Sequence, residues 1–171
     1  DPNHSLNPRH SIEEILTEPL KVHKLAKGNK ARDMAVELLE KVGLSSEVLS
    51  RYPHAFSGGQ RQRLGIARAL TLKPKLIVCD EIVSALDVSV QAQIVELLLE
   101  LKKDLGLSFL FISHDLSLVR NISDRLAVMY LGKFVEEGDP ETILQNPMHP
   151  YTGALLKSLP GLDRTKRPKV L

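Results

Sequence analysis

Two adjacent acids, Asp80 and Glu81, follow directly on four apolar residues, Leu76, Ile77, Val78 and Cys79. An unbroken apolar run of that length suits a parallel strand buried on both faces. Ligands of open α/β sheets collect outside the carboxyl ends of such strands, where these two acids fall. Successive strand residues point to opposite faces, so the carboxylates diverge. That arrangement suits a division of labour: one carboxylate holds a hydrated Mg²⁺ while its neighbour orients or deprotonates a water aimed at a phosphoryl group. Taken alone, the pair is equally compatible with two solvated residues of a turn.

A second stretch, SGGQRQR at 57–63, leads into LGIARAL, in which Leu64, Ala67 and Leu70 recur at helical spacing. Two glycines in a first helical turn each cost up to about 1 kcal/mol relative to alanine. They are useful where an anion must approach the free N–H groups and the positive end of the helix dipole. Ser57 and Gln60 also have capping-box spacing, which needs no ligand. A third candidate, His114, stands at the end of the apolar segment SFLFIS, 108–113. Its plain alternative is a loop residue beside a helix cap offered by Ser113 or Asp115.

The elements that position these residues can be read from periodicity. Val88 to Leu105 forms an amphipathic helix through Ile94, Leu98, Leu101 and Leu105, with Asp87 as candidate N-cap and Gly106 as its stop. Strand, helix and strand make a βαβ unit, parallel and right-handed, with Asp80, Glu81 and His114 on one edge. Upstream, Ser11 and Glu14 are spaced as a capping box for a helix through Ile12, Ile15 and Leu16 that Pro19 ends or bends. Val22 to Asn29 reads as a basic linker. Asn29 is placed to cap a second helix with an apolar stripe of Ala31, Met34, Leu38 and Val42, stopped by Gly43. A turn at Ser45–Leu49 and the segment RYPHAF, interrupted by Pro53, complete a small helical region. Downstream, a short helix from Leu116 to Ile122 precedes two strands, Arg125–Tyr130 and Lys133–Glu137, joined around Gly132. A tail begins at Pro140, and Pro150 opens a helix carrying Tyr151, Ala154 and Leu155.

Composition narrows the class. A chain of 171 residues suggests one domain, and 43% hydrophobic with 26% charged residues is an ordinary soluble mixture. With 23 basic against 21 acidic residues, bulk charge makes no case for a nucleic-acid surface. The single cysteine, Cys79, excludes an internal disulfide and leaves too few thiolates for a zinc finger or a cysteine-held iron–sulfur cluster. A reducing cytoplasm fits best. No apolar run approaches the roughly 20 residues that span a bilayer, so membrane association is expected through a partner.

SGGQ at 57–60, a strand ending in Asp80-Glu81, SALD at 84–87 and His114 at the next strand end resemble, in that order, the nucleotide-binding subunit of an ABC transporter. RYPHAFSGGQRQR and the tail NPMHPYTGALLKSLP, 146–160, resemble the oligopeptide and dipeptide importer branch, and the likeness covers essentially the whole chain. The resemblance implies an α/β fold: a partial P-loop NTPase-like parallel sheet with flanking helices plus an α-helical subdomain. It divides the chain into a helical region (1–56), the signature helix with the distal ATPase core (57–145) and an importer-type extension (146–171). It implies ATP and Mg²⁺ as ligands, with Asp80 holding Mg²⁺ through water, Glu81 polarising the attacking water and His114 contacting the γ-phosphate. Ser57, Gly58, Gly59 and Gln60 would serve nucleotide held by a partner subunit, and Asp87 would couple the two sites. Implied partners are a second ATPase subunit, identical or not, transmembrane permease subunits and, indirectly, a peptide-binding protein, at the cytoplasmic face of the membrane.

No GxxxxGK[ST] sequence occurs, and the nearest fragment, Gly132-Lys133, lacks the upstream glycine and the following hydroxyl. The chain also begins at Asp1, so it is expected to be the carboxyl-terminal part of a longer subunit and inactive by itself. Ile82 and Ala55 depart from the family pattern without removing a catalytic group. Two other readings stay open: a non-catalytic truncated partner that pairs with an intact subunit, and a soluble ABC ATPase attached to no transporter.

Overall fold

The computed structural model describes residues 5–157, and the last residues of the tail lie outside them. Two compact units are present, Asp1–Ile112 and Ser113–Leu171.

In the first unit, helix α1, Ile12–Val22, opens with the expected capping box. The Ser11 hydroxyl accepts the Glu14 N–H at 3.3 Å and the Glu14 carboxylate accepts the Ser11 N–H at 2.7 Å. Of the two outcomes expected at Pro19, an end or a bend, the helix does not end there: it passes through and stops three residues later. Proline forfeits one backbone bond there, but the fully buried Leu20 holds the last turn in place. Helix α2, Gly28–Lys41, begins before Asn29, and Lys27 stands at the cap without a side-chain bond. Asn29 is therefore a first-turn residue rather than the cap, because packing of Leu20, Ala26 and Ala31 sets where the helix starts. Its inward stripe is Ala31, Ala35, Leu38 and Leu39, and Gly43 (φ +72°) turns the chain out of it. After two short 3₁₀ turns, Ser46–Ser50 and Pro53–Ala55, comes α3, Gly58–Leu70. The Arg63 guanidinium donates to the Val42 carbonyl at 2.7 Å, tying α3 to the end of α2.

Strands β1, Leu76–Asp80, and β2, Ser108–Ile112, pair in parallel with Leu76 opposite Ser108 and Asp80 opposite Ile112. Helix α4, Val88–Leu105, joins them and stops at Gly106 (φ +63°). The expectation of a strand buried on both faces is corrected. The face with Cys79 is the covered one, and burial pushes that thiol up to about 11, so it stays protonated and inert. Leu76, Val78, Leu110 and Ile112 share the other face and are 48–57% exposed, since the described residues lay no further layer on this two-stranded sheet.

The second unit contains α5, Leu116–Ile122, an antiparallel hairpin of β3, Leu126–Tyr130, and β4, Lys133–Gly138, then α6, Pro140–Gln145, and α7, Pro150–Lys157. Leu131 (φ +49°) and Gly132 (φ +75°) supply the two left-handed residues of the hairpin turn. Leu116, Val119, Leu126, Val128, Ile143 and Leu144 form its core. A bidentate Arg120–Glu141 pair, 3.0 and 3.1 Å, links α5 to α6.

Glu136 on β4 fixes the tail: its carboxylate accepts the Met148 N–H at 2.9 Å and the His149 N–H at 3.2 Å, at the start of α7. Tyr151, in the first turn, stacks on Tyr130 with ring centroids 4.3 Å apart. Slight burial pushes the Glu136 carboxyl up. Hydrogen bonds from the Met148 and His149 N–H groups, with the His149 charge, outweigh that and leave it below the ordinary carboxyl value of 4.5. A depressed carboxyl stabilises above its unfolded value and ceases to do so as pH falls through the folded one. Protection of the α7 amides, measured relative to their intrinsic exchange rates, is therefore expected to fall as pH drops below about 4.5 in the native chain. Glu136→Gln should exchange faster at neutral pH and show a flatter pH dependence; a pH response identical to the native one would contradict the assignment.

Candidate functional site

The acids and glycines singled out above all lie in the first unit. Asp80 is the last residue of β1 and is exposed. Glu81 has φ +46°, a left-handed conformation that a non-glycine residue adopts only when its surroundings impose it. The imposing bonds are visible. The Glu81 N–H donates to the Ile112 carbonyl at 2.9 Å, closing the end of the β1–β2 ladder. The Glu81 carbonyl accepts the Ser84 N–H at 3.1 Å and the Ser84 hydroxyl at 2.9 Å. This left-handed backbone at Glu81 is a signal that sequence alone does not carry.

SALD forms the turn between Glu81 and α4. The Leu86 N–H donates to the Val83 carbonyl at 3.2 Å, and Asp87 occupies the N-cap position. Its side chain makes no capping bond, although an aspartate there normally accepts a first-turn N–H. Order comes instead from Gln91, whose amide donates to the Val83 carbonyl at 3.0 Å and the Leu86 carbonyl at 2.9 Å. Sequence reading missed Gln91, since a glutamine one turn into a helix looks like any polar surface position.

Ser57 caps α3, and the capping box is made in full: its hydroxyl accepts the Gln60 N–H at 3.3 Å and the Gln60 side-chain oxygen accepts the Ser57 N–H at 3.1 Å. The box uses the third N–H of the helix start and does not occupy those of Gly58 and Gly59. Packing bears on both glycines, and more tightly on Gly59. A Cβ on Gly58 would meet Leu86 at 3.3 Å, and one on Gly59 would meet Val90 at 2.5 Å. SGGQ and SALD, 24 or more residues apart in sequence, are thus pressed against each other.

His114 lies two residues beyond the end of β2 and belongs to the second unit. Of the two caps the sequence offered beside it, Asp115 is the one used: its carboxylate accepts the Ser117 and Leu118 N–H groups at 2.9 and 3.1 Å. The Ser113 hydroxyl accepts the Asp115 N–H at 3.0 Å and orders the approach to that cap.

Among the described residues no group of three or more His, Cys, Asp or Glu side chains gathers as a metal cage. Mg²⁺ needs no such cage, since it keeps several waters and takes one or two carboxylates with the rest from substrate phosphates. Asp80 is an exposed hard oxygen donor of that kind.

The first unit thus brings together a parallel strand followed by two acids, a glycine-led helix start and an SALD turn packed on it. The family model described as ABC transporter matches residues 2–84, and that described as oligopeptide/dipeptide transporter, C-terminal region, matches residues 135–170. The chain is 57% identical over 164 residues to the oligopeptide transport ATP-binding protein OppF of Bacillus subtilis, covering 95% of this chain and 54% of that protein. It is 53% identical over 176 residues to OppF of Salmonella typhimurium, covering all of this chain and 53% of that one. The solved structure of cbiO1 from Clostridium perfringens, part of the ABC transporter complex cbiONQ, superposes with a TM-score of 0.74 at 26% identity, over 85% of this chain and 57% of that one. By these matches the chain is similar to the ABC transporter ATP-binding proteins, and among them to the oligopeptide and dipeptide branch. It spans about half the length of the curated relatives it matches.

Proposed function

We propose that the chain is the signature-bearing, carboxyl-terminal part of an ATPase subunit that energises oligopeptide or dipeptide import. The observation that supports this most is Glu81, held in a left-handed backbone at the carboxyl end of a parallel strand directly after Asp80. A carboxylate carried on a backbone held there is suited to orient a water and accept its proton as the γ-phosphoryl group departs. Bound Mg²⁺ neutralises charge developing on the phosphate oxygens, and Asp80 is the residue to hold it through water. His114 donates to the γ-phosphate.

Ser57, the N–H groups of Gly58 and Gly59, and Gln60 act on nucleotide held by the other subunit, where donors at a helix start stabilise anionic charge. Asp87, free of the cap, reaches across the same interface. With no GxxxxGK[ST] sequence in the chain, it supplies no phosphate loop of its own and by itself does not turn ATP over. Among the described residues no helix is long and apolar enough to cross a membrane. The subunit works at the cytoplasmic face through permease subunits that dock on the helical region ahead of α3.

Uptake of a labelled tripeptide tests the reading. The full-length form, introduced into cells lacking their own peptide-import ATPase, should restore accumulation. Assembly with the permeases without any peptide accumulation would contradict it.

A further inference from the structure

We infer that Gln91 is a positioning residue that holds the SALD turn against the glycine start of α3, so that Asp87 is presented at a fixed place without capping its own helix. The inference rests on the functional reading above and goes beyond it, since it assigns a role to a residue outside every motif.

Three observations converge. An aspartate at an N-cap ordinarily orders its loop by accepting a first-turn N–H, and Asp87 does not. Left at that, the turn from Val83 to Leu86 would hang on the single Leu86-to-Val83 backbone bond and the Ser84 bonds to Glu81. Gln91 spends both amide protons on this turn, one on Val83 and one on Leu86, and its backbone N–H donates to the Asp87 carbonyl at 2.9 Å. Neighbouring Val90 presses a β-branched, stiff side chain against Gly59. One turn of α4 thereby grips SALD with one residue and the signature with the next. The consequence is mechanical: Asp87 keeps its carboxylate for a partner because Gln91 has taken over the ordering of the loop.

The test uses Gln91→Leu, which keeps bulk and removes both donors, and Gln91→Glu, which keeps shape and turns a carboxylate toward two carbonyl oxygens. In this chain, exchange of the Ser84 and Leu86 amides should rise about tenfold in Gln91→Leu and further in Gln91→Glu, on the scale of one to two lost hydrogen bonds. In the full-length form, kcat for ATP should fall about tenfold or more with KM for ATP unchanged, the pattern of a displaced group rather than a lost ligand contact. A merely structural role would lower the melting temperature and the yield of folded protein with kcat per folded molecule intact, and that result would overturn the inference. Unchanged exchange at Ser84 and Leu86 would overturn it too. Glu81→Gln in the same preparation separates the two levels. If Glu81→Gln turns over normally, the assignment of Glu81 as the base falls; if Glu81→Gln is inactive and Gln91→Leu matches the native protein, only the role of Gln91 falls.

Discussion

Glu81→Gln, made in the full-length form, is expected to keep nucleotide binding and to lose at least about 10²-fold in turnover, the usual scale for a positioned general base. The amide has the size and hydrogen-bonding reach of the acid but cannot take a proton. The backbone at this position favours a clean result, because main-chain bonds to Ile112 and Ser84 hold Glu81 at φ +46° and survive the substitution. Asp80→Asn should behave differently, raising the Mg²⁺ concentration needed for half-maximal activity. Single-turnover ATP hydrolysis with a parallel binding titration measures both. Near-native turnover by Glu81→Gln would move the base elsewhere, with His114 the first residue to test.

Gly59→Asp is expected to abolish ATP-dependent pairing with an intact subunit, by setting a negative charge where the γ-phosphate must lie. Considered from sequence, an acid in the first turn of a helix is favourable in its own right, so tolerance would have indicated a plain cap. The structure changes how the experiment must be run. Any side chain at 59 meets Val90, and crowding a packed position typically costs 1–3 kcal/mol, so loss of pairing in the single variant could follow from packing alone. The double variant Gly59→Asp/Val90→Ala relieves the crowding and keeps the charge. With Val90→Ala as reference, failure of the double variant to pair despite a native-like melting profile assigns the effect to the phosphate. Pairing restored in the double variant would reduce Gly59 to a packing residue.

Much of this arrangement was legible in the residues because local rules and tertiary packing agree there. The boundaries of α4 and α5, the Gly106 stop and the capping boxes at Ser11 and Ser57 follow from side-chain chemistry within one turn of the helix end. Reading failed or stayed open where packing overrode the local signal. Burial of Leu20 carried α1 through Pro19, and the Leu20–Ala26–Ala31 contact started α2 ahead of Asn29. The open face of β1–β2 was illegible for a different reason, since an apolar run reports what a strand is suited to and not which layers lie beside it. At the site, residue types announced Asp80, Glu81 and SGGQ. The left-handed turn at Glu81, the uncapping side chain of Asp87 and the grip of Gln91 depend on bonds between residues that no spacing rule connects.

The central claim is that this chain brings the signature half of a shared ATP site. Sedimentation velocity of the native chain mixed with a hydrolysis-deficient intact subunit, with and without Mg-ATP, measures that directly. The account predicts a heavier complex that forms with ATP and dissociates when ATP is removed. Equal association in both conditions, or none in either, would contradict it.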